Sequence, residues 1–144
     1  MNVVYAETSA VLAWLLGDEP ALRSRRALDA ADQVVTSVLT LLEATRGIMR
    51  AVSERRLTAG DASRLKGLLN RTTAAWQLVE ITPDIRVRAA EPFPVEPVRT
   101  LDAIHLATVL RFARVFPGLP VLTFDDRILA NLEPLRLTSA IRQA

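Results

Sequence analysis

What this 144-residue chain lacks narrows its chemistry before any motif is read. It has no cysteine, so neither a disulfide framework nor a thiolate metal site is open to it, which fits a reducing compartment and predicts a cytoplasmic protein. Asp, Glu or Arg interrupts every apolar run long before the ~18 unbroken positions that a membrane span needs. The start, Met1–Tyr5, has no basic stretch leading to a small-residue cleavage site, so no signal peptide is expected. Five glycines stand singly, and none builds a glycine-rich phosphate loop behind an apolar run, which disfavours a nucleotide-binding enzyme. Nor is there any repeat or low-complexity stretch. With half the residues hydrophobic and 24% charged, the composition is that of a folded protein, and the length suits one domain over residues 1–144.

Charge of either sign is present, but unevenly. The formal net charge is +2, from 18 basic residues, of which only Lys66 is lysine, against 16 acids. Setting aside Glu7, Glu43, Asp102, Asp125 and Asp126 leaves 11 acids facing those 18 bases. A cationic body around a concentrated acidic pocket suits a polyanionic substrate, although so mild an excess does not by itself identify nucleic acid.

Hydrophobic periodicity alternates between the two regular structures. Asn2–Ala6 reads as a strand closed by Glu7, and helical periodicity runs through Ala10–Leu16. Glu19-Pro20 opens a second helix to about Ala31, and Gln33–Val35 is the next strand. Thr36 or Ser37 caps a helix to about Val52, with Val38, Leu41, Leu42, Thr45, Ile48, Met49 and Val52 as its apolar stripe. A helix over Gly60–Thr72, a strand over Trp76–Ile81 and a short helix from Pro83 to about Ala90 follow. After a Pro-rich loop, Thr100 caps a nearly all-apolar helix, Leu101–Val115, expected to be buried on most sides. Pro120–Thr123 is a strand, Asp126–Leu132 a short helix, and Leu135–Thr138 a candidate fifth, edge strand. Strands separated by helices imply parallel pairing, and so a three-layer α/β/α sandwich around a parallel sheet of four to five strands.

In open parallel sheets the functional crevice lies beyond the carboxyl ends of the strands. Glu7 and Asp125 both sit there, while Asp102 falls in the first turn of a buried helix and Glu43 about two turns into another. Four carboxylates converging from separate elements would repel one another unless a divalent cation neutralised them, and hard oxygen donors suit Mg²⁺ or Mn²⁺. Each acid also has a plainer reading. Asp102 complements a helix dipole, Asp125-Asp126 starts a short helix, and Glu43 shares a face with Arg46 and Arg50 as in a solvated ion-paired surface. Asp126 is read as a cap or a support for the site. Thr8, Ser9 and Thr123 carry hydroxyls that suit either metal-bound water and phosphate or helix caps and strand ends. His105, one turn from Asp102 on so apolar a helix, is read as a hydrogen-bonded packing histidine. A phospho-receiver domain also gathers acids at strand ends, but it needs a lysine beside them, and Lys66 lies in a helical stretch far from any strand end.

Four segments in order carry a resemblance: Tyr5-Ala6-Glu7-Thr8-Ser9-Ala10-Val11-Leu12, Val35-Thr36-Ser37-Val38-Leu39-Thr40-Leu41-Leu42-Glu43, Arg99-Thr100-Leu101-Asp102-Ala103-Ile104-His105-Leu106-Ala107 and Leu122-Thr123-Phe124-Asp125-Asp126-Arg127. Together they resemble the PIN domain of VapC-type toxins over essentially the whole chain, and the third segment is the most specific. The resemblance implies a Mg²⁺- or Mn²⁺-dependent endoribonuclease acting on RNA, held inactive by a small antitoxin, and a homodimer. Leu12, Trp14 and Leu15, read as exposed apolar positions, were consistent with such a dimer. The family's acids fall on Glu43, Asp102 and Asp125, with Glu7 where the pattern has aspartate. That longer side chain makes a catalytically silent module, binding antitoxin or RNA without cleavage, the alternative.

Overall fold

The computed structural model describes residues 1–17 and 20–141. Glu19, read from sequence as part of a helix start, lies outside the described residues. The order of elements is β1 (Val3–Ala6), α1 (Thr8–Leu16), α2 (Ala21–Asp29), β2 (Gln33–Ser37), α3 (Val38–Ser53), α4 (Ala59–Thr73), β3 (Gln77–Val79), α5 (Pro83–Ala89), α6 (Thr100–Ala113), β4 (Pro120–Leu122), α7 (Asp126–Leu132) and β5 (Thr138–Ser139). All four strand pairings are parallel, in the order β3-β2-β1-β4-β5. The expected α/β/α sandwich is therefore the fold. Among the described residues no helix is long and apolar enough to cross a membrane.

Alternation along the strands divides the core into its two layers. Val4, Ala6, Val34 and Leu122 face one side, against Ala10, Val11 and Leu15 of α1, Ala44 and Ile48 of α3, and Leu65 and Leu69 of α4. Val3, Tyr5, Val35 and Val121 face the other, against Ala103, Leu106 and Val109 of α6 and Ile128 and Leu132 of α7. Because β1 is covered on both faces, all four of its residues are buried. The chain winds outward from β1 to β2 and β3, then returns to lay β4 on the opposite flank of β1. The switch point of the sheet thus lies between β1 and β4, where Glu7 N–H donates to Leu122 O at 3.0 Å.

Several expectations are corrected in detail. The apolar stripe assigned to α3 is rotated: Leu42 is 62% exposed and Met49 41%, whereas Thr40, Ala44, Ile48 and Ala51 are buried. Small residues make this contact because α1 crosses closely; a Cβ on Gly47 would lie 2.7 Å from Leu12 Cδ2. The same packing withdraws the apolar positions read as exposed, since Leu15 is buried and Leu12 and Trp14 pack partly buried against the core. Ser37, not Thr36, caps α3, accepting from Leu39 N–H at 3.1 Å. Arg99, not Thr100, holds the N-cap position of α6, with no side-chain cap bond. The last strand begins at Thr138 because Leu135, Arg136 and Leu137 still turn their N–H groups back onto the end of α7, with Arg136 at φ +59°.

Candidate active site

Parallel topology brings the acids to one edge. Each helix that follows a strand begins at the carboxyl end of the sheet, so α1 after β1, α3 after β2 and α7 after β4 all start there. Glu7 is the N-cap of α1, Asp125 the N-cap of α7, Glu43 lies on the sixth residue of α3, and Asp102 lies in the first turn of α6.

Glu7 and Glu43 are held by the protein itself. Only 5% of Glu7 is exposed, and its Oε2 accepts from Ser9 N–H at 3.0 Å, from Thr123 Oγ1 at 2.7 Å and from Ser9 Oγ. Ser9 Oγ accepts in turn from Phe124 N–H at 2.8 Å, and Thr123 Oγ1 from Asp125 N–H at 3.1 Å, so these hydroxyls stitch the end of β1 to the turn after β4. Burial raises the Glu7 carboxyl above its ordinary value, outweighing the charge of His105 and the bonds from Ser9 and Thr123. Glu43 turns inward rather than toward Arg46 or Arg50: its Oε1 accepts from Thr8 Oγ1 at 2.6 Å and lies 2.6 Å from His105 Nε2. Burial works to raise this carboxyl, but the bonds from His105 and Thr8 prevail and it lies below its ordinary value. The other nitrogen of the ring, Nδ1, lies 2.8 Å from the hydroxyl of the fully buried Tyr5.

Asp125 and Asp102 are placed differently. Asp125 Oδ1 caps α7, accepting from Arg127 N–H at 2.9 Å and Ile128 N–H at 3.1 Å. The carboxylate of Asp102 accepts no hydrogen bond among the described residues, and it lies in the first turn of α6, where its charge complements the helix dipole as expected. Its carboxyl is raised by partial burial and then by the charge of Asp125, with Glu43 adding to the repulsion and His105 and Arg127 opposing it. Asp102, Asp125 and Glu43 therefore share one electrostatic field. Glu7 is set behind them, and Asp126 is exposed. Asp126, Thr123, Phe124 and Arg23 line an adjoining hollow of about 330 Å³, with the Arg23 guanidinium 5.3 Å from the centre of the Phe124 ring.

The donor chemistry suits a hard divalent cation: carboxylate oxygens, of which one, on Asp102, is repelled by its neighbours and bound by no donor. As the side chains stand, no three acidic or histidine groups among the described residues lie close enough to hold one ion. Thr8, Ser9 and Thr123, whose hydroxyls suit either the site or helix caps and strand ends, bond to carboxylates: Thr8 to Glu43, and Ser9 and Thr123 to Glu7. His105 is the buried, hydrogen-bonded residue expected, but its partner is one of the site acids; its spacing from Asp102 was the available signal. For Tyr5 the sequence held none.

The sequence pattern of the PIN domain matches residues 4–133. Ribonuclease VapC35 of Mycobacterium tuberculosis is 33% identical over 137 residues, covering 94% of this chain and 93% of that protein. Among solved structures, a toxin–antitoxin complex from Klebsiella pneumoniae superposes with a TM-score of 0.65 at 18% identity, covering 97% of this chain and 99% of the other. Mycobacterium tuberculosis VapC20, described as a toxin cleaving the sarcin-ricin loop, gives 0.64 at 19% identity, covering 88% and 93%. At such identities these structures bear on the fold alone.

Proposed function

Because the chain belongs to the PIN-domain family, we propose that it is a Mg²⁺- or Mn²⁺-dependent endoribonuclease, the toxin of a toxin–antitoxin pair. One observation carries the reading: at the switch point of the sheet, Asp102 is left without a donor while Asp125 and Glu43 repel it. Negative charge built up in that way stores a preference for a cation. Asp102, Asp125 and Glu43 are the groups that would hold the ion, and Glu7 adds its charge from behind them. Such an ion supplies Lewis acidity to a phosphodiester and activates water for its hydrolysis. Arg127 and Arg23, beside the acids, are placed to bind the flanking phosphates of a polyanion. The naming of the relative VapC35 as a ribonuclease supports RNA as the substrate. A small antitoxin and a homodimer rest on family membership, the first supported by the Klebsiella complex.

A second reading has its own observations. Glu7 is engaged by Ser9 and Thr123, and among the described residues no three acidic or histidine groups stand ready around one ion, as in a module that binds antitoxin or RNA without cutting it. Incubation of the purified protein with structured RNAs, in Mn²⁺ and in EDTA, separates the two. New RNA ends formed in Mn²⁺ and not in EDTA support the enzyme; RNA retained intact under both conditions supports the silent module.

A further inference from the structure

The single histidine of the chain lies 1% exposed between two oxygens from different elements. Its Nδ1 meets the Tyr5 hydroxyl of β1 at 2.8 Å, and its Nε2 meets Glu43 Oε1 of α3 at 2.6 Å, while Thr8 Oγ1 donates to the same carboxylate oxygen. Packing alone does not require this arrangement. An apolar residue on α6 would fill the space, and a buried imidazole is tolerated only because both nitrogens find partners. We propose that His105 is a positioning residue for the ribonuclease site, holding the Glu43 carboxylate in place through a Tyr5–His105–Glu43 relay.

The proton positions follow from the chemistry of the partners. An ionised carboxylate only accepts, so the proton of the ring must sit on Nε2 and point at Glu43. In the neutral ring Nδ1 is then bare and accepts from the Tyr5 hydroxyl, whose own oxygen is fully buried. Glu43 therefore fixes which ring nitrogen carries the proton, and Tyr5, able to donate or accept, supplies the bond at the other. The ring also faces Tyr5 edge-on, with centroids 6.1 Å apart and planes at 75°, which limits its rotation. Because His105 follows Asp102 by three residues on α6, the relay also locks the register between two acids on separate helices, Glu43 of α3 and Asp102 of α6. Groups that orient a ligand in this way typically cost about 10–100-fold in affinity or activity when removed.

This inference rests on the ribonuclease reading for its consequence but not for its geometry, and one experiment separates them. With a single histidine, nitrogen NMR of the full chain reports on His105 alone. We expect an Nε2–H ring whose Nδ1 signal moves in Tyr5→Phe and whose Nε2 signal moves in Glu43→Gln. In RNA cleavage with Mn²⁺, His105→Leu should lose about tenfold or more in kcat with KM nearly unchanged. His105→Gln, whose amide nitrogen reaches nearly the same point as Nε2, should recover most of that loss, and Tyr5→Phe guards against a His105→Leu chain that fails to fold. An Nδ1–H ring in the parent, nitrogen signals indifferent to both substitutions, or a His105→Leu chain that folds and cleaves at the parental kcat would overturn the relay. A parent that cuts no RNA yet shows the expected nitrogen signals would leave the relay standing and overturn the ribonuclease reading.

Discussion

Two pairs of carboxylates meet at one edge of the sheet, and the fold treats them differently. Glu7 and Glu43 are supplied with donors by the chain itself: Ser9 and Thr123 for one, Thr8 and His105 for the other. Asp102 has no donor among the described residues, while the charge of Asp125 adds to burial in pushing its carboxyl up. The first pair belongs to the architecture of the site, since removing either leaves buried donors stranded. In the second pair Asp125 takes its donors from the start of α7, the N–H groups of Arg127 and Ile128, and only Asp102 is left without one among the described residues. Loss of stability should therefore fall mainly on the first pair, and loss of activity without loss of stability on Asp102.

The largest effect on stability is expected at Glu7. Glu7→Ala strands the Ser9 amide, the Ser9 hydroxyl and the Thr123 hydroxyl, and urea denaturation should show a loss of about 2–3 kcal/mol. Glu7→Gln keeps an acceptor oxygen and should cost less than about 1 kcal/mol. Equal losses for the two would mean that the charge of Glu7, not its bonds, ties β1 to β4. At Glu43 the expected loss is smaller, about 1–2 kcal/mol for Glu43→Ala, because the site there is half-open and Thr8 still lies 3.2 Å from His105 Nε2.

Acidity offers a subtler contrast. A carboxyl raised in the folded state binds its proton more tightly there than in the unfolded chain, so it favours folding at low pH and withdraws that support as pH rises from its ordinary value through the raised one. Glu7, with an ordinary value of 4.5, and Asp102, with 3.8, should thus make stability fall with rising pH above those values. Glu43, lowered, acts the other way: its contribution is present above 4.5 and is lost as pH falls through its lowered value. Denaturation measured from pH 3 to 8 should show the decline at higher pH flattened in Glu7→Gln. An undiminished decline would place the responsible group elsewhere.

The smallest stability effect is expected at Asp102. Asp102→Asn removes a repelled charge and no hydrogen bond, so Tm should stay unchanged or rise by about 1–3 °C. A marked fall in Tm would show that Asp102 supports the fold and is not an unsatisfied charge.

Legibility differed between these same groups. The sheet and its helices could be read from alternating periodicities because parallel strands covered on both faces are continuously apolar, as Val3–Ala6 is. The position of Glu7 and Asp125 beyond strand ends was likewise a matter of chain order. What could not be read was which way each side chain turns. Glu43 sits at ion-pair spacing from Arg46 and Arg50, yet Thr8 from the start of α1 and His105 from α6 hold it inward. The close crossing of α1 over Gly47 misled the reading of α3, where large side chains drew attention from the small ones that make the contact. The part played by Tyr5 depends on a partner 100 residues away, which no local pattern records.

The central claim is that Asp102, the site acid left without a donor, takes part in the chemistry, and one measurement addresses it directly: the rate of cleavage of a single structured RNA in Mn²⁺ by the parent and by Asp102→Asn, at equal folded concentration. The account predicts cleavage by the parent that EDTA abolishes, and a loss in the variant beyond the ~100-fold expected of groups that only support a ligand, at an undiminished Tm. A variant that folds and cuts RNA at close to the parental rate would contradict it.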